Sequence, residues 1–501
     1  MTSRFDTALG RIPMYRLVLV WLVVIHLVAF VLTFLGQLSF GPLDLLVSDV
    51  IAIGVTVAVS LVGGRIVRQP AHLESSVITG LILAIVLPPG ADIAEWAVIA
   101  LAAGIAGASK YLLAIRGRHL FNPAAIGATV VTATGLTFSG WWVGTALLAP
   151  VVVVGGALVL LRTRRLPMGA LFVAVAVAIV VVRMMSSGSA PLDALSIAVT
   201  SYPILFLAGF MLSEPLTLPP RRWQQLVLAV IVAALLTVPW SIGPVFSTPQ
   251  LALVIGNLLA FLVGQRRGVR LELLERRQLT PRSWELEFQP FRSLRFTPGQ
   301  YLELALPHRG ADQRGTRRTF SISSAPGADR PITIGIRTSE RSSTFKSALL
   351  ELEPGDTVRA TLVAGDFTLP AVGVPVLLVA GGIGITPFAS QLADAHERGL
   401  DRDAVVVYTV GDVAELAYSE LLERSGVRVI VVAPTAPDRM PPGWIYAGAD
   451  RVTADLIAAH VPDLASRRAF VSGPPALVDA LASALRGRTA GRVRRDAFAG
   501  Y

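Results

Sequence analysis

Apolar residues fill the first 265 positions in runs too long for strands and too continuous for amphipathic surface helices. The runs lie at about 14–35, 45–63, 76–89, 93–115, 120–137, 141–161, 168–183, 193–213, 224–240 and 249–264. A hydrocarbon core about 30 Å thick takes roughly 20 helical residues, so the pattern predicts a bundle of about ten transmembrane helices. The third, seventh and tenth runs are short, as expected of tilted, half-inserted or proline-broken segments. From Val269 the period changes to two: LELLERRQLT, SWELEFQP, QYLELALP and PITIGIRTS alternate apolar and polar residues, punctuated by Pro298-Gly299, Pro326-Gly327 and Pro354-Gly355. Such runs read as strands of an antiparallel β-barrel. After Pro370, the buried runs VPVLLVA, AVVVYTV and RAFVSG alternate with helical stretches, as a parallel α/β sheet requires. The expected chain is multidomain: a transmembrane α bundle over 1–266, a β-barrel over 268–370 and a parallel α/β domain over 371–501.

Basic residues orient the bundle. Arg4, Arg11 and Arg16; Arg65 and Arg68; Lys110, Arg116 and Arg118; Arg162, Arg164 and Arg165; Arg221 and Arg222; and Arg266, Arg267 and Arg270 fall on one side, against Arg183 alone on the other. Cationic loops stay cytoplasmic. The alternation supports an even number of spans and a multi-pass cell-membrane protein with both termini, and the C-terminal module, in the cytoplasm. The first run is too long for a signal core and lacks a small-residue cleavage site, so it reads as an anchor in the lipid bilayer.

Composition narrows the chemistry. With 53% hydrophobic and 16% charged residues the chain is too apolar for an ordinary soluble protein, and its net charge of +10 is topological, giving no reason to expect nucleic acid. No cysteine is present, which excludes thiolate-held iron–sulfur clusters, disulfides and Cys-type zinc sites in this chain. Of six histidines only His26 lies well inside a span, so paired intramembrane haem ligands are missing, and no metal site is expected. Asp49, Glu95, Asp193 and Glu214 lie near span ends.

Several short segments carry candidate chemistry. Arg318-Thr319-Phe320-Ser321 offers a guanidinium suited to an anion, a ring and a hydroxyl on one strand; a strand with a surface Arg accounts for it equally. Arg341-Ser342-Ser343-Thr344-Phe345 offers hydroxyls at a helix start, where amides receive phosphate; a plain helix cap accounts for it equally. In LLVAGGIGITPF, Gly381, Gly382 and Gly384 precede Thr386 and Pro387 and permit close approach to a dinucleotide. Ser472-Gly473-Pro474-Pro475 ends a later strand, and the chain closes on Asp496-Ala497-Phe498-Ala499-Gly500-Tyr501.

Taken in order, these segments resemble the ferredoxin–NADP reductase superfamily. The resemblance implies FAD held by Arg318, Thr319, Phe320, Ser321, Ser343 and Thr344, and NADH or NADPH received at Gly381, Gly382, Gly384, Thr386, Pro387, Gly473 and Pro474. Ser321, Ser472 and Tyr501 would border hydride transfer, with Ser472 standing where the family has cysteine. In that superfamily the loop after AVVVYTV meets the adenosine ribose. Here it reads Gly411-Asp412-Val413-Ala414-Glu415, and two carboxylates there would repel a 2′-phosphate and favour NADH.

Residues 109–127, SKYLLAIRGRHLFNPAAIG, and 210–217, FMLSEPLT, resemble the membrane subunit shared by the Rnf complex and the sodium-translocating NADH:quinone reductase, the RnfD/NqrB family. That family has ten spans and intramembrane flavins. The resemblance implies a noncovalent flavin, FMN or riboflavin, near Phe121 and Asn122. Relatives carry a covalent FMN on a terminal threonine of an outer motif, where this chain reads Ser186-Ser187-Gly188-Ser189-Ala190-Pro191-Leu192; Ala190 has no hydroxyl to esterify. The expected activity is therefore a membrane-bound flavoprotein oxidoreductase. It would pass electrons from NAD(P)H through FAD into the helices, and on to an extracytoplasmic flavoprotein or a quinone. The competing expectation is a soluble-type diaphorase that is merely anchored to a membrane transport module or regulates it.

Overall fold

Prolines decide where the apolar runs become helix. The computed structural model describes residues 13–67, 71–115, 118–243, 245–264, 268–308, 310, 316–339, 342–448 and 451–498. They divide into two units, one spanning Ile12–Arg266 and one built on Arg267–Tyr501.

Among the described residues of the first unit four helices are long and apolar enough to cross a membrane: Met14–Phe34, Pro42–Ile66, Ile93–Leu112 and Leu166–Ser186. A fifth arises if Pro191–Thr200 and Ile204–Met211, bent by 51°, count as one span. Leu73–Val86, Pro123–Ala133, Ala149–Arg162, Arg222–Thr237 and Pro249–Val263 are apolar but shorter. Each expected run thus contains a helix, yet among the described residues four or five reach spanning length by length and composition. Leu87, preceding Pro88, is extended and ends one helix. Residues 141–148 fold as turns, so the helix of run 141–161 begins only at Ala149, with Pro150 in its first turn. Small residues let the helices touch. A Cβ on Gly209, within the π turn Leu207–Met211, would fall 2.4 Å from the Gly156 Cα of helix Ala149–Arg162. Only glycine fits there, and such approach is how apolar helices gain contact where lipid is as apolar as the side chains.

The second unit holds two six-stranded sheets. The first is antiparallel, in the order Arg317–Ser321, Tyr301–Ala305, Thr357–Ala364, Val269–Thr280, Ser283–Pro290 and Ile332–Arg337. An antiparallel bridge between Ile322 and Ile334 joins its two edges at one point. Alternation places Leu271, Leu273, Leu286, Phe288, Ile334 and Ile336 in one core, as the period of two demands.

The second sheet is wholly parallel: Trp444–Tyr446, Arg428–Val432, Ala404–Thr409, Val376–Gly381, Arg468–Gly473 and Arg494–Ala497. Successive residues of its central strand feed opposite cores. Val376, Leu378 and Ala380 join one, while Leu377 and Val379 join the other, so the strand reads as an unbroken apolar run. Two contacts tie the sheets: Ser390 Oγ donates to Ser324 O at 2.6 Å, and Gln391 Nε2 donates to Phe367 O at 2.6 Å.

Candidate functional site

A parallel sheet presents ligands at the carboxyl ends of its strands, and there the glycine-rich segment lies. Strand Val376–Gly381 runs through the tight turn Gly382–Ile385 into helix Thr386–Glu397, with Pro387 in the first turn and Thr386 Oγ1 donating to Ile383 O at 3.0 Å. The neighbouring strand ends at Ser472 and Gly473, with Pro474 capping the next helix. A Cβ on Gly384 would lie 2.5 Å from Ser472 O and 2.6 Å from Gly473 Cα, while Gly473 itself has φ +144°. The two turns cross with no room for a side chain. The Ser472 hydroxyl is fully buried and has no hydrogen-bond partner among the described residues. Phe498 N donates to Gly473 O at 2.8 Å, so the C-terminal strand runs to this same crossing. Gly381, Gly382, Gly384, Thr386, Pro387, Ser472, Gly473 and Pro474 are therefore brought together. Tyr501 and Arg341 lie outside the described residues, as do Arg4, Arg11, Arg68, Arg116, Arg266 and Arg267 of the basic clusters.

On the antiparallel sheet, Arg318 is buried and Thr319 exposed, as alternate positions of one strand. The Arg318 guanidinium carbon sits 5.4 Å from the centre of the Phe345 ring, which stacks on Phe320 at 6.0 Å and 27°. Phe320 is part of the sheet's own core, so most of its ring is already covered by protein. Ser321 is buried at the end of the same strand. Ser343 caps helix Thr344–Leu350 by accepting from Lys346 N at 3.4 Å, and Lys346 Nζ donates to Arg337 O at 2.9 Å. Sequence reasoning overlooked His308. Its Nδ1 lies 2.9 Å from Leu306 O and its Nε2 lies 3.0 Å from Thr344 Oγ1. A carbonyl only accepts, so the proton sits on Nδ1, and in the neutral ring Nε2 accepts from Thr344. No local pattern marks this pairing, because the two residues are joined only across the sheet.

The loop expected at the ribose requires a correction. Asp412 is exposed and caps the short turn Val413–Glu415 through Ala414 N at 3.0 Å. Glu415 turns inward instead, accepting from Thr280 Oγ1 at 3.0 Å and Ser283 Oγ at 3.5 Å, with Arg337 Nε at 3.8 Å. A buried carboxylate needs such donors, and they come from the antiparallel sheet. Of the loop's two carboxylates, Asp412 alone remains exposed. Behind it Tyr408 and Tyr418 are buried, which pushes both phenols well above their ordinary range.

The helical unit holds its own polar cluster. Asn122 caps helix Pro123–Ala133, its Oδ1 accepting from Ala125 N at 3.2 Å and its Nδ2 donating to Glu214 at 3.1 Å. Asn257 Oδ1 accepts from Asn122 N at 2.8 Å, and His119 Nε2 lies 3.0 Å from the second Glu214 oxygen. Lys110 Nζ donates to Ser75 O at 3.0 Å. Ser75, Thr79, Asn122, Phe210, Ser213 and Glu214 line a cavity here, and Phe121, half-buried, does not. Phe210, stacked on Phe206 at 4.9 Å, and Tyr15 are the aromatic rings that line the cavity. Among the described residues no cluster of three or more His, Asp or Glu fits a metal ion.

Comparison with known proteins places relatives on the C-terminal unit. Residues 378–483 match the oxidoreductase NAD-binding domain. The chain is 29% identical over 217 residues to an aromatic O-demethylase reductase subunit of Amycolatopsis sp., covering 41% of this chain and 61% of that one, so it spans less than two thirds of that relative's length. It is 30% identical over 206 residues to ferredoxin–NADP reductase B of Sorangium cellulosum, covering 40% of this chain and 80% of that one. A crystal structure of an Amycolatopsis cytochrome P450 reductase aligns with a TM-score of 0.40 at 27% identity, over 46% of this chain and 70% of that one.

Proposed function

We propose that this chain, which belongs through its C-terminal unit to the ferredoxin–NADP reductase family, is a membrane-bound oxidoreductase that carries electrons from NAD(P)H into its helical unit. The observation that carries the reading is the crossing of Gly384 with Ser472 and Gly473 at the carboxyl edge of the parallel sheet, a cradle that a single Cβ would fill. Its fit to a nicotinamide is supported by the buried Ser472 hydroxyl, which has no partner within the protein. Gly381, Gly382, Gly384, Thr386, Pro387, Gly473 and Pro474 receive the nucleotide, and Ser472 and Tyr501 border its reactive end. The exposed Asp412 disfavours a 2′-phosphate and so favours NADH. Arg318 neutralises the FAD pyrophosphate, Thr319, Ser343 and Thr344 supply hydroxyls, Phe320 backs the flavin, and Ser321 lies beside its N5 edge. When bound, FAD supplies the conversion of a two-electron hydride donor into single electrons.

The helical unit resembles the RnfD/NqrB membrane subunit and completes the route. Ten spans, with the basic loops and both termini cytoplasmic, accommodate the shorter helices as tilted or broken crossings. A noncovalent flavin, FMN or riboflavin, would lie at Asn122, Glu214 and Phe210 once the small cavity there opens to admit its ring system, and the electrons would leave to an extracytoplasmic flavoprotein or a quinone. Acid extraction and chromatography of the full-length protein tests the route: FAD plus one further flavin per chain is expected, and FAD alone removes the membrane carrier. Arg318→Ala should empty the FAD site and leave the second flavin in place.

A further inference from the structure

Helices Met14–Phe34 and Pro42–Ile66 bury between them a titratable pair that the nucleotide and flavin sites do not use. His26 and Asp49 lie roughly 10–12 Å in from the helix ends at Phe34 and Pro42, at about 1.5 Å per residue. Their side chains are 7% and 16% exposed, and His26 Nε2 faces Asp49 Oδ1 at 3.4 Å. The other ring nitrogen decides what this contact holds. Nδ1 lies 2.8 Å from Leu22 O, and because a carbonyl can only accept, Nδ1 keeps its proton. A neutral imidazole therefore turns a lone pair at Nε2 toward the carboxyl group. An ionised Asp49 would set a second lone pair against it, with neither atom hydrogen-bonded elsewhere. One further proton closes the contact, on Nε2 as an ion pair or on Oδ1 as a neutral acid. Loaded, the pair is neutral; emptied, it carries one negative charge.

The surroundings isolate this proton. Trp142 meets His26 edge-on at 5.5 Å, but its Nε1 donates to Ala84 O at 2.7 Å. The acids near this end are spoken for: Asp44 accepts from Gly41 N at 2.9 Å, Asp92 from Glu95 N at 2.9 Å, and Glu95 from Ala91 N at 2.7 Å. Among the described residues of the helices that carry the pair or pack against it, the remaining charged or titratable side chains are Tyr15, Arg16, Arg65, Glu74, Lys110, Tyr111 and Arg162, all at the opposite ends, with Glu74 held by Arg16 at 2.8 Å. Ionisable groups at membrane depth mark ion or proton pathways, and at 3.4 Å the contact is longer than a strong N–H···O bond.

We propose that His26 and Asp49 form a proton-binding site inside the helical unit, loaded with one proton from the side on which residues 35–41 lie, whose proton balances the charge of an electron entering that unit. The second half rests on the reading of the unit as an electron conduit; the first does not. NAD(P)H supplies the electron. One proton is taken from water for each electron that arrives, making an N–H or O–H bond, and returns to water when the electron leaves.

The test uses full-length protein in phosphatidylcholine vesicles, with Asp49→Asn and His26→Gln as near-isosteric variants. Infrared pH-difference spectra should show a carboxyl or imidazole titration that Asp49→Asn abolishes and His26→Gln displaces. Identical spectra for wild type and Asp49→Asn overturn the site. On reduction by NADH, read with a pH-indicator dye, wild type should take up about one proton more per chain than either variant, with NADH–ferricyanide turnover unchanged in all three. Equal uptake while the helical unit's carrier is reduced overturns the coupling. If no carrier beyond FAD is reduced, the conduit reading and the coupling fall together, and the infrared titration alone decides the site.

Discussion

Thr280 Oγ1 donates a hydrogen bond of 3.0 Å to Glu415, joining the antiparallel sheet to the loop that follows the second strand of the parallel one. Glu415 is buried, and Ser283 and Arg337 approach it from the same side. It thereby fastens the antiparallel sheet to the loop after strand Ala404–Thr409. Hydrogen bonds to a buried charged group are worth about 1.5–3 kcal/mol. Glu415→Ala should destabilise the C-terminal unit by about that amount in urea and lower kcat for NADH–ferricyanide more than it raises KM, with Glu415→Gln intermediate. A change in KM alone would assign Glu415 to the nucleotide after all.

Gly384 faces Ser472 O with no space for a methyl group. Overpacking of this kind costs about 1–3 kcal/mol, and here it pushes apart the two turns proposed to receive the nicotinamide. Gly384→Ala should raise KM for NADH about 10-fold or more, since about 1.4 kcal/mol is a factor of ten, while FAD content stays unchanged. Wild-type KM in that variant places the nucleotide elsewhere.

Arg467 anchors the parallel sheet from below. Its guanidinium reaches Asp403 at 2.7 Å and Asp463 at 2.6 Å and donates to Val376 O at 3.3 Å. The hydrogen bond from Arg467 holds the Asp463 carboxyl below its ordinary value. A depressed carboxyl stabilises the fold above its unfolded pKa and loses that contribution as pH falls through the folded one. Asp463→Asn should therefore lower Tm at pH 7, and the gap to wild type should close below about pH 4, where carboxylates protonate. A gap that persists in acid would mean the substitution acts through packing.

Ala190 stands at the start of helix Pro191–Thr200, with Ser189 before it. With no hydroxyl at position 190, no FMN ester should form. Denaturing electrophoresis of protein co-expressed with a flavin transferase should show no fluorescent band, and a band abolished by Ser189→Ala would reverse the expectation.

Sheets were legible because their signal is local. In the stretch from Val376 to Gly381 every residue is buried, which in sequence reads as an unbroken apolar run between turn residues. The strands of 269–337 show the period of two for the opposite reason, one face being covered and the other not. The glycine-rich turn and Ser472-Gly473-Pro474 were legible too, since each is a short string whose backbone demands are written in its own residues.

By itself the sequence determined where apolar and alternating segments lie and which backbone turns need glycine or proline. Tertiary structure decided how those segments end and what the polar groups meet. Helix length in the first unit follows from how residues 141–148 fold into turns and how Leu87 extends before Pro88, although hydropathy runs straight through both. Asn122 finds Asn257 and Glu214, His119 finds Glu214, and His26 finds Asp49. Glu415, which a reading of its own loop assigns to a ribose, finds Thr280 across 135 residues of chain. A backbone conformation is chosen by neighbours in sequence, but a buried polar group must be satisfied by whatever the packing brings within hydrogen-bond reach. That partner is a property of the assembled fold.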